Sequence, residues 1–239
     1  MNTAIILSGG TGSRIKNEDI PKQYIRVCDK PVIWYVLQVV IRCGKIFRCV
    51  IVAGEKWHDL IEKQFEDITI QTGRTDMELI FAEPGETRQI SILNGLAVLE
   101  GNMPDEDVVA VIDACRPNMT TGLLKGVIET AERFDGAIPV LPMKDTVYLS
   151  KDGNSISGLL NRNEVFAGQA PEAFKYGKYL DATRALLPEK IMNIHGSTEP
   201  AILAGMDIQM VGGDEHNYKI TTDEDLKRFR EECELGQDM

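Results

Sequence analysis

The chain has no CxxC pair, no GxxxxGK[ST] phosphate loop, no excess of positive charge and no apolar run of membrane-spanning length. Each absence removes a class of function. Its five cysteines (Cys28, Cys43, Cys49, Cys115 and Cys233) are scattered, so neither a zinc site nor a disulfide frame is expected. They read as small buried hydrophobes in a reducing compartment. No histidine stands near Cys115 in sequence, which argues against a thiol nucleophile. A formal net charge of −11 argues against non-specific binding to nucleic acid or to anionic membrane. The opening MNTAIILSGG carries no basic flank before its short apolar run, so a signal peptide is not expected and the protein reads as cytoplasmic. Internal repeats, low-complexity tracts and interdomain linkers are also missing.

What is present is a globular composition, 43% hydrophobic and 26% charged over 239 residues. Apolar runs alternate with helical patterns. Strands are expected at Ala4–Leu7, Cys49–Ala53, Met77–Ala82, Val108–Ile112 and Ala137–Leu141, and helices at Pro31–Ile41, Trp57–Glu66, Arg88–Leu99 and Thr121–Phe134. This βαβα order predicts an α/β fold, a mostly parallel sheet with helices on both faces. One domain over residues 1–239 is expected. After Leu141 the pattern changes to two short strands around Asp152-Gly153. With no helix to cover it, this hairpin should project as a β-arm at about residues 142–167. Exposed Val147, Leu159 and Leu160 would make it a natural dimerisation surface. The acidic end from Glu231 to Met239 is expected to fray.

Residues 7–24, LSGGTGSRIKNEDIPKQY, are the most informative stretch. Ser8, Gly9, Gly10 and Gly12 would sit at the carboxyl end of the first strand, where α/β proteins bind ligands. Glycines there let backbone N–H groups face a phosphate chain, and Arg14 and Lys22 can neutralise its charge. A GxGxxG fingerprint fails because Ile15 occupies its sixth position and Pro21 favours a loop over a helix. An ordinary glycine-rich turn with two solvated cations is the alternative for this segment taken alone.

Four further segments extend the pattern. Gly85-Glu86-Thr87-Arg88-Gln89 with Ser91 lies where a strand meets a helix, so its amides and hydroxyl could bond a base or sugar. Asp113, followed by Ala114, Cys115 and Arg116, ends an apolar strand, the usual place for a magnesium ligand in a nucleotide enzyme. Arg162 opens RNEVFAGQAP after the hairpin. Asn217 to Thr222 brings a late cation, Lys219, beside hydroxyls.

In order along nearly the whole chain, GGTGSR, PKQY, GETRQxS, DACRP, Pro142-x-x-Asp-Thr146, RNxxxxGQxP and NYKITTxEDL resemble the cytidylyltransferases that activate sugar-alcohol phosphates. Two kinds are best known, acting on 2-C-methyl-D-erythritol 4-phosphate and on D-ribitol 5-phosphate. The resemblance implies a Rossmann-like nucleotide-binding fold and a homodimer joined through the β-arm, with CTP and an alditol phosphate as substrates and Mg²⁺ as cofactor. It assigns Arg14, Lys22 and Lys219 to the triphosphate and the transition state, and Asp113 to the metal. Nucleotide binding maps to Ser8, Gly9, Gly10, Gly12, Gly85, Glu86, Arg88, Ser91, Asp113 and Ala114. Acceptor binding maps to Arg116, Thr146, Arg162 and His195, with Arg162 reaching the partner subunit's site.

Two departures fall on the acceptor side. Where such proteins commonly have QTPQ this chain has Gln169-Ala170-Pro171-Glu172, and His195 to Pro200 replaces a Thr-Asp-Asp or Ser-Asp-Ala stretch. A polyol phosphate other than methylerythritol phosphate is therefore expected as acceptor, with ribitol 5-phosphate first. Two rivals stand beside this reading. A sugar-1-phosphate nucleotidyltransferase usually has a longer basic glycine signature, and a silent nucleotide-binding regulator would not need Arg14, Lys22, Asp113 and Lys219. His58 and His216 read as solvated side chains.

Overall fold

The computed structural model describes residues 1–10 and 20–237; Gly12 and Arg14 lie outside them. In chain order the strands and helices are β1 (Asn2–Leu7), β2 (Arg26–Val27), β3 (Lys30–Pro31), α1 (Val32–Arg42), β4 (Ile46–Val52), α2 (His58–Thr72), β5 (Glu78–Ala82), α3 (Arg88–Ala97) and β6 (Val108–Asp113). They continue with α4 (Thr121–Ala131), β7 (Gly136–Pro142), β8 (Tyr148–Leu149), β9 (Gly158–Leu159), β10 (Phe166–Gly168), β11 (Glu172–Lys175), α5 (Tyr176–Arg184), α6 (Glu199–Leu203), β12 (Ile208–Gly212) and α7 (Asp223–Gln237).

The main sheet runs β10-β7-β11-β6-β1-β4-β5, with β12 on the far side of β7. Pairings β1–β4, β1–β6, β4–β5 and β7–β12 are parallel, while β10 and β11 run antiparallel to their neighbours. The expected α/β fold with a mostly parallel sheet is therefore what forms.

Strand periodicity explains the two layers, because alternate residues point to opposite faces. Ala4 and Ile6 of β1, Cys49 and Ile51 of β4, and Ala110 and Ile112 of β6 pack with Val36, Val40, Ile61 and Leu124 of α1, α2 and α4. The intervening Ile5, Val50, Val109 and Val111 pack with Ile92 and Leu96 of α3 and Tyr179 of α5. Burying an aliphatic side chain contributes about 1.5–3 kcal/mol, so these faces fix the strand register. That register sets Leu7 against Asp113 and Val52, and Val52 against Ala82, so β1, β4, β5 and β6 end on one level.

Several boundaries differ from expectation. Helix α2 runs to Thr72 rather than Glu66, because Ile68 and Thr69 keep its buried stripe going until Gly73 stops it in the left-handed region at φ 70°. The chain end is not frayed over Glu231–Gln237, which belong to α7. His58 is half-buried rather than solvated: its ring stacks on Phe81 at 3.8 Å and its Nε2 meets the Ala53 carbonyl at 3.1 Å. The cysteine expectation is corrected at one pair. Cys28 and Cys233 form a disulfide that ties α7 to the β2–β3 turn, a pairing across 205 residues that no local spacing could reveal. Cys43, Cys49 and Cys115 are buried thiols, as expected.

The hairpin β8–β9 is a two-stranded sheet of its own, pairing Tyr148 with Leu159. Its turn is built on Asp152, whose carboxylate accepts from the Asn154 and Ser155 amides and the Ser155 hydroxyl. The apolar residues it exposes are Tyr148, Leu149, Ile156 (68%) and Leu159 (66%). Val147 and Leu160 are half-buried, which corrects that part of the expectation.

Candidate active site

A cavity of about 420 Å³ opens where β1, β5 and β6 end, lined by the glycine loop, Lys22 and Gln23, residues 85–88, Ser91, Asp113 to Cys115, and Lys219. Sequence-expected residues from five separated segments thus meet at one place.

The glycine loop is held from below by the PKQY block. Gln23 donates through Nε2 to the carbonyls of Ser8 at 2.6 Å and Gly10 at 2.8 Å. The Ser8 hydroxyl donates to Tyr24 Oη at 2.8 Å, and Tyr24 donates back to the Ser8 carbonyl at 3.0 Å. Trp57 stacks on Tyr24 at 3.9 Å, and burial pushes the Tyr24 phenol up to about 12. Ser8 therefore lies beneath the loop and does not line the cavity. Gly9 passes so close to Pro84 that a Cβ there would stand 2.5 Å from the proline ring.

The second wall is the turn into α3. Thr87 caps the helix by accepting from Ile90 N–H at 3.2 Å. Ser91 Oγ accepts from Gly85 N–H at 2.9 Å and donates to the Thr87 carbonyl at 3.0 Å. In this structure Ser91 and the Gly85 amide bond each other and shape the turn. A Cβ at Gly85 would lie 2.2 Å from Ile90, so only glycine fits. Glu86 is exposed at the cavity rim.

Asp113 is the charge centre. Its side chain is nearly buried, with Oδ1 accepting from Arg88 at 3.2 Å and Oδ2 meeting Arg116 at 3.3 Å and Lys219 at 3.1 Å. Burial alone would raise this carboxyl, but the Arg88, Lys219 and Arg116 charges more than offset it and hold it well below the ordinary carboxylate range. Lys22 donates to the Ile220 carbonyl at 2.7 Å, beside Lys219. The late block is positioned by buried Asn217. Its Nδ2 donates to the Ala170 carbonyl at 2.8 Å, and its own carbonyl accepts from Arg116 at 2.6 Å.

Cys115 lines the cavity, yet burial pushes its thiol up to about 12, so it is not a nucleophile at neutral pH. Within one chain Thr146, Arg162 and His195 are exposed and outside this cavity. Arg162 donates to the Lys144 carbonyl at 3.1 Å, and the His195 amide to Glu199 at 2.9 Å. Arg116 stands behind Asp113 rather than on the lining.

Among the described residues no group of three or more His, Cys, Asp or Glu side chains gathers as a metal cage. The site fits a hard cation of another kind. Asp113 offers one buried carboxylate facing a polar cavity, and Mg²⁺ is commonly held by one or two carboxylates with substrate phosphates and water. Lys219 and Arg88 occupy the oxygens it would need, so binding requires them to move aside.

Sequence reasoning missed Gln23, Glu172, Ser197 and Asn217 as parts of the site. Gln23 and Asn217 stood within quoted motifs, but their roles arise from contacts across the fold.

A mostly parallel sheet whose strands end at a polar cavity, with cations gathered on one aspartate, defines an α/β nucleotidyltransferase. The chain belongs to the 2-C-methyl-D-erythritol 4-phosphate cytidylyltransferase family, whose model matches residues 2–231. It is accordingly a CTP-dependent cytidylyltransferase. Among solved structures it is similar to a 4-diphosphocytidyl-2C-methyl-D-erythritol synthase (TM-score 0.77, 24% identity, 96% of this chain and 97% of that one). The enzyme of the same name from Anaerococcus prevotii DSM 20548 superposes with a TM-score of 0.81 at 22% identity over 98% of both chains. The 2-C-methyl-D-erythritol 4-phosphate cytidylyltransferase of Francisella tularensis superposes with a TM-score of 0.76 at 20% identity, over 95% of this chain and 97% of that one.

Proposed function

We propose that this enzyme transfers CMP from CTP to 2-C-methyl-D-erythritol 4-phosphate, releasing pyrophosphate, in isoprenoid precursor synthesis. The observation that carries the reading is the convergence of Lys22, Arg88 and Lys219 with Asp113 around one cavity in a chain of this family. The acceptor phosphate attacks the α-phosphorus of CTP in line, one P–O bond forms as the bond to pyrophosphate breaks, and the obstacle is crowded negative charge. The attacking phosphate is already ionised, so no general base is needed.

Lys22 and Lys219 neutralise the charge that develops on the triphosphate, joined in this proposal by Arg14 from outside the described residues. Gly9, Gly10, Gly85, Glu86 and Ala114 form the nucleotide's side of the cavity. Asp113 would hold Mg²⁺, which when bound offsets charge on the phosphates. Arg116 stands behind Asp113 and keeps its carboxylate in place. The β-arm, with its exposed Tyr148, Leu149, Ile156 and Leu159, is proposed to join two subunits and to bring Arg162 and Thr146 to the partner subunit's acceptor site. A cytoplasmic location belongs to the same proposal, since CTP and polyol phosphates are charged metabolites of that compartment.

A second reading takes D-ribitol 5-phosphate as acceptor. Ala170 favours it, because a buried alanine cannot give the hydrogen bond a threonine would. Pyrophosphate release from CTP with each acceptor in turn tests both; release with neither would overturn both.

A further inference from the structure

Glu172 opens β11 opposite Val111 of β6, one strand away from Asp113, and its carboxyl is buried. Its Oε2 has no hydrogen-bond partner. A buried carboxyl oxygen without a partner is costly, so its presence calls for a reason.

The neighbourhood supplies one. Arg88 donates from Nη1 to Ser197 Oγ, while its Nη2 donates to Asp113. The Ser197 hydroxyl, which accepts from Arg88, and the Arg88 charge both act to lower the buried Glu172 carboxyl. Ser197 is itself fixed, since Tyr179 donates to its carbonyl at 2.7 Å and Tyr179 stacks on Phe174 of β11 at 4.1 Å. The guanidinium is thus a fork with one prong on Asp113 and the other leading through one buried hydroxyl to Glu172. Arg88 lines the cavity, whereas Glu172 and Ser197 stand behind it.

We propose that Glu172, acting through Ser197, is a positioning residue that holds Arg88 in the cavity wall and keeps it from collapsing onto Asp113. This rests on the CTP reading of the site. Without the second prong, Arg88 would close fully on the aspartate, and the carboxylate would be less available to the incoming nucleotide and its cation. A bidentate fork shared between two acceptors gives geometric control that a single ion pair does not.

The test uses the full chain as Glu172→Gln, Arg88→Ala and the double variant. Calorimetric CTP affinity should fall roughly tenfold in Glu172→Gln but change less than about twofold when the same substitution is made in the Arg88→Ala background, the coupling expected of residues that act through each other. A merely structural glutamate would cost the same factor in both backgrounds, which would overturn the proposal. The second measurement needs no nucleotide. The Arg88 Nε–Hε resonance, assigned by its loss in Arg88→Ala, should shift and exchange faster with water in Glu172→Gln. An unchanged resonance would also overturn the proposal. Wild-type protein that did not bind CTP would sink the cytidylyltransferase reading by itself, and the resonance would still decide whether Glu172 holds Arg88.

Discussion

Lys219 Nζ lies 3.1 Å from Asp113 Oδ2, joining a residue on the loop before α7 to the last residue of β6 across 106 positions of chain. The pair ties the late cation to the carboxylate that three strand ends surround. Lys22, from the PKQY block, donates to the neighbouring Ile220 carbonyl, so one short segment supplies Lys219 and anchors Lys22 beside it.

Replacing either lysine by alanine should therefore damage turnover far more than folding. Loss of one preorganised charge or donor costs about 3–4 kcal/mol in the transition state, a fall in kcat of roughly 10²- to 10³-fold. Lys219 is about a third exposed, so melting temperature should move little. A Lys22→Ala or Lys219→Ala enzyme within threefold of wild type would remove that lysine from the mechanism.

Asp113→Asn should lose both activity and stability. The substitution leaves Arg88, Arg116 and Lys219 facing each other without the buried charge that balances them, and breaking such a group costs about 3 kcal/mol or more. Because the folded carboxyl titrates below its ordinary range, the stability it contributes is present above about pH 4 and is lost as pH falls through the folded value. Urea unfolding at pH 7 and at pH 2 checks this: the gap between wild type and variant should be smaller at pH 2 than at pH 7. An equal gap at both would separate Asp113 from the charge balance.

Glu172 has the opposite sign. Burial raises its carboxyl from 4.5 to about 6, against the lowering effect of Arg88 and Ser197. A raised folded value contributes stability that is present below pH 4.5 and lost as pH rises through about 6, a change of about 2 kcal/mol. Glu172→Gln should lack that loss and be more stable than wild type at pH 8. Superimposable stability profiles of the two proteins would contradict it.

Much of the frame was legible locally. The strands β1, β4, β5, β6 and β7 announced themselves as apolar runs, and the helices α1 to α4 as periodic stripes, because their burial pattern is set by neighbours in sequence. Most of the chain after Leu141 was not assigned. Strand β11 is only four residues long and antiparallel, α6 is five residues, and α7 is highly charged, so none carries a strong period. The site divided in the same way. Lys22, Asp113 and Lys219 stood in motifs, whereas the link from Arg88 through Ser197 to Glu172 joins three segments that only the sheet order brings together.

The arm makes a separate demand. Ile156→Glu combined with Leu159→Glu places two charges on its most exposed apolar residues. Sedimentation should report a dimer for wild type and a monomer for the variant, with CTP binding retained and turnover lost as Arg162 leaves the partner subunit's site. A monomeric wild type, or a variant that remained dimeric, would overturn the arm's role.

The account turns most directly on kcat/KM with CTP and each of two acceptors, 2-C-methyl-D-erythritol 4-phosphate and D-ribitol 5-phosphate, read as pyrophosphate release. A site built to pair a substrate hydroxyl rejects analogues lacking it by about 10⁴-fold, so one acceptor should dominate clearly. The family places 2-C-methyl-D-erythritol 4-phosphate first, and a preference for it of tenfold or more is the predicted result. A comparable preference for ribitol 5-phosphate would move the enzyme to the second reading, and turnover with neither would contradict the assignment of this cavity to cytidylyl transfer.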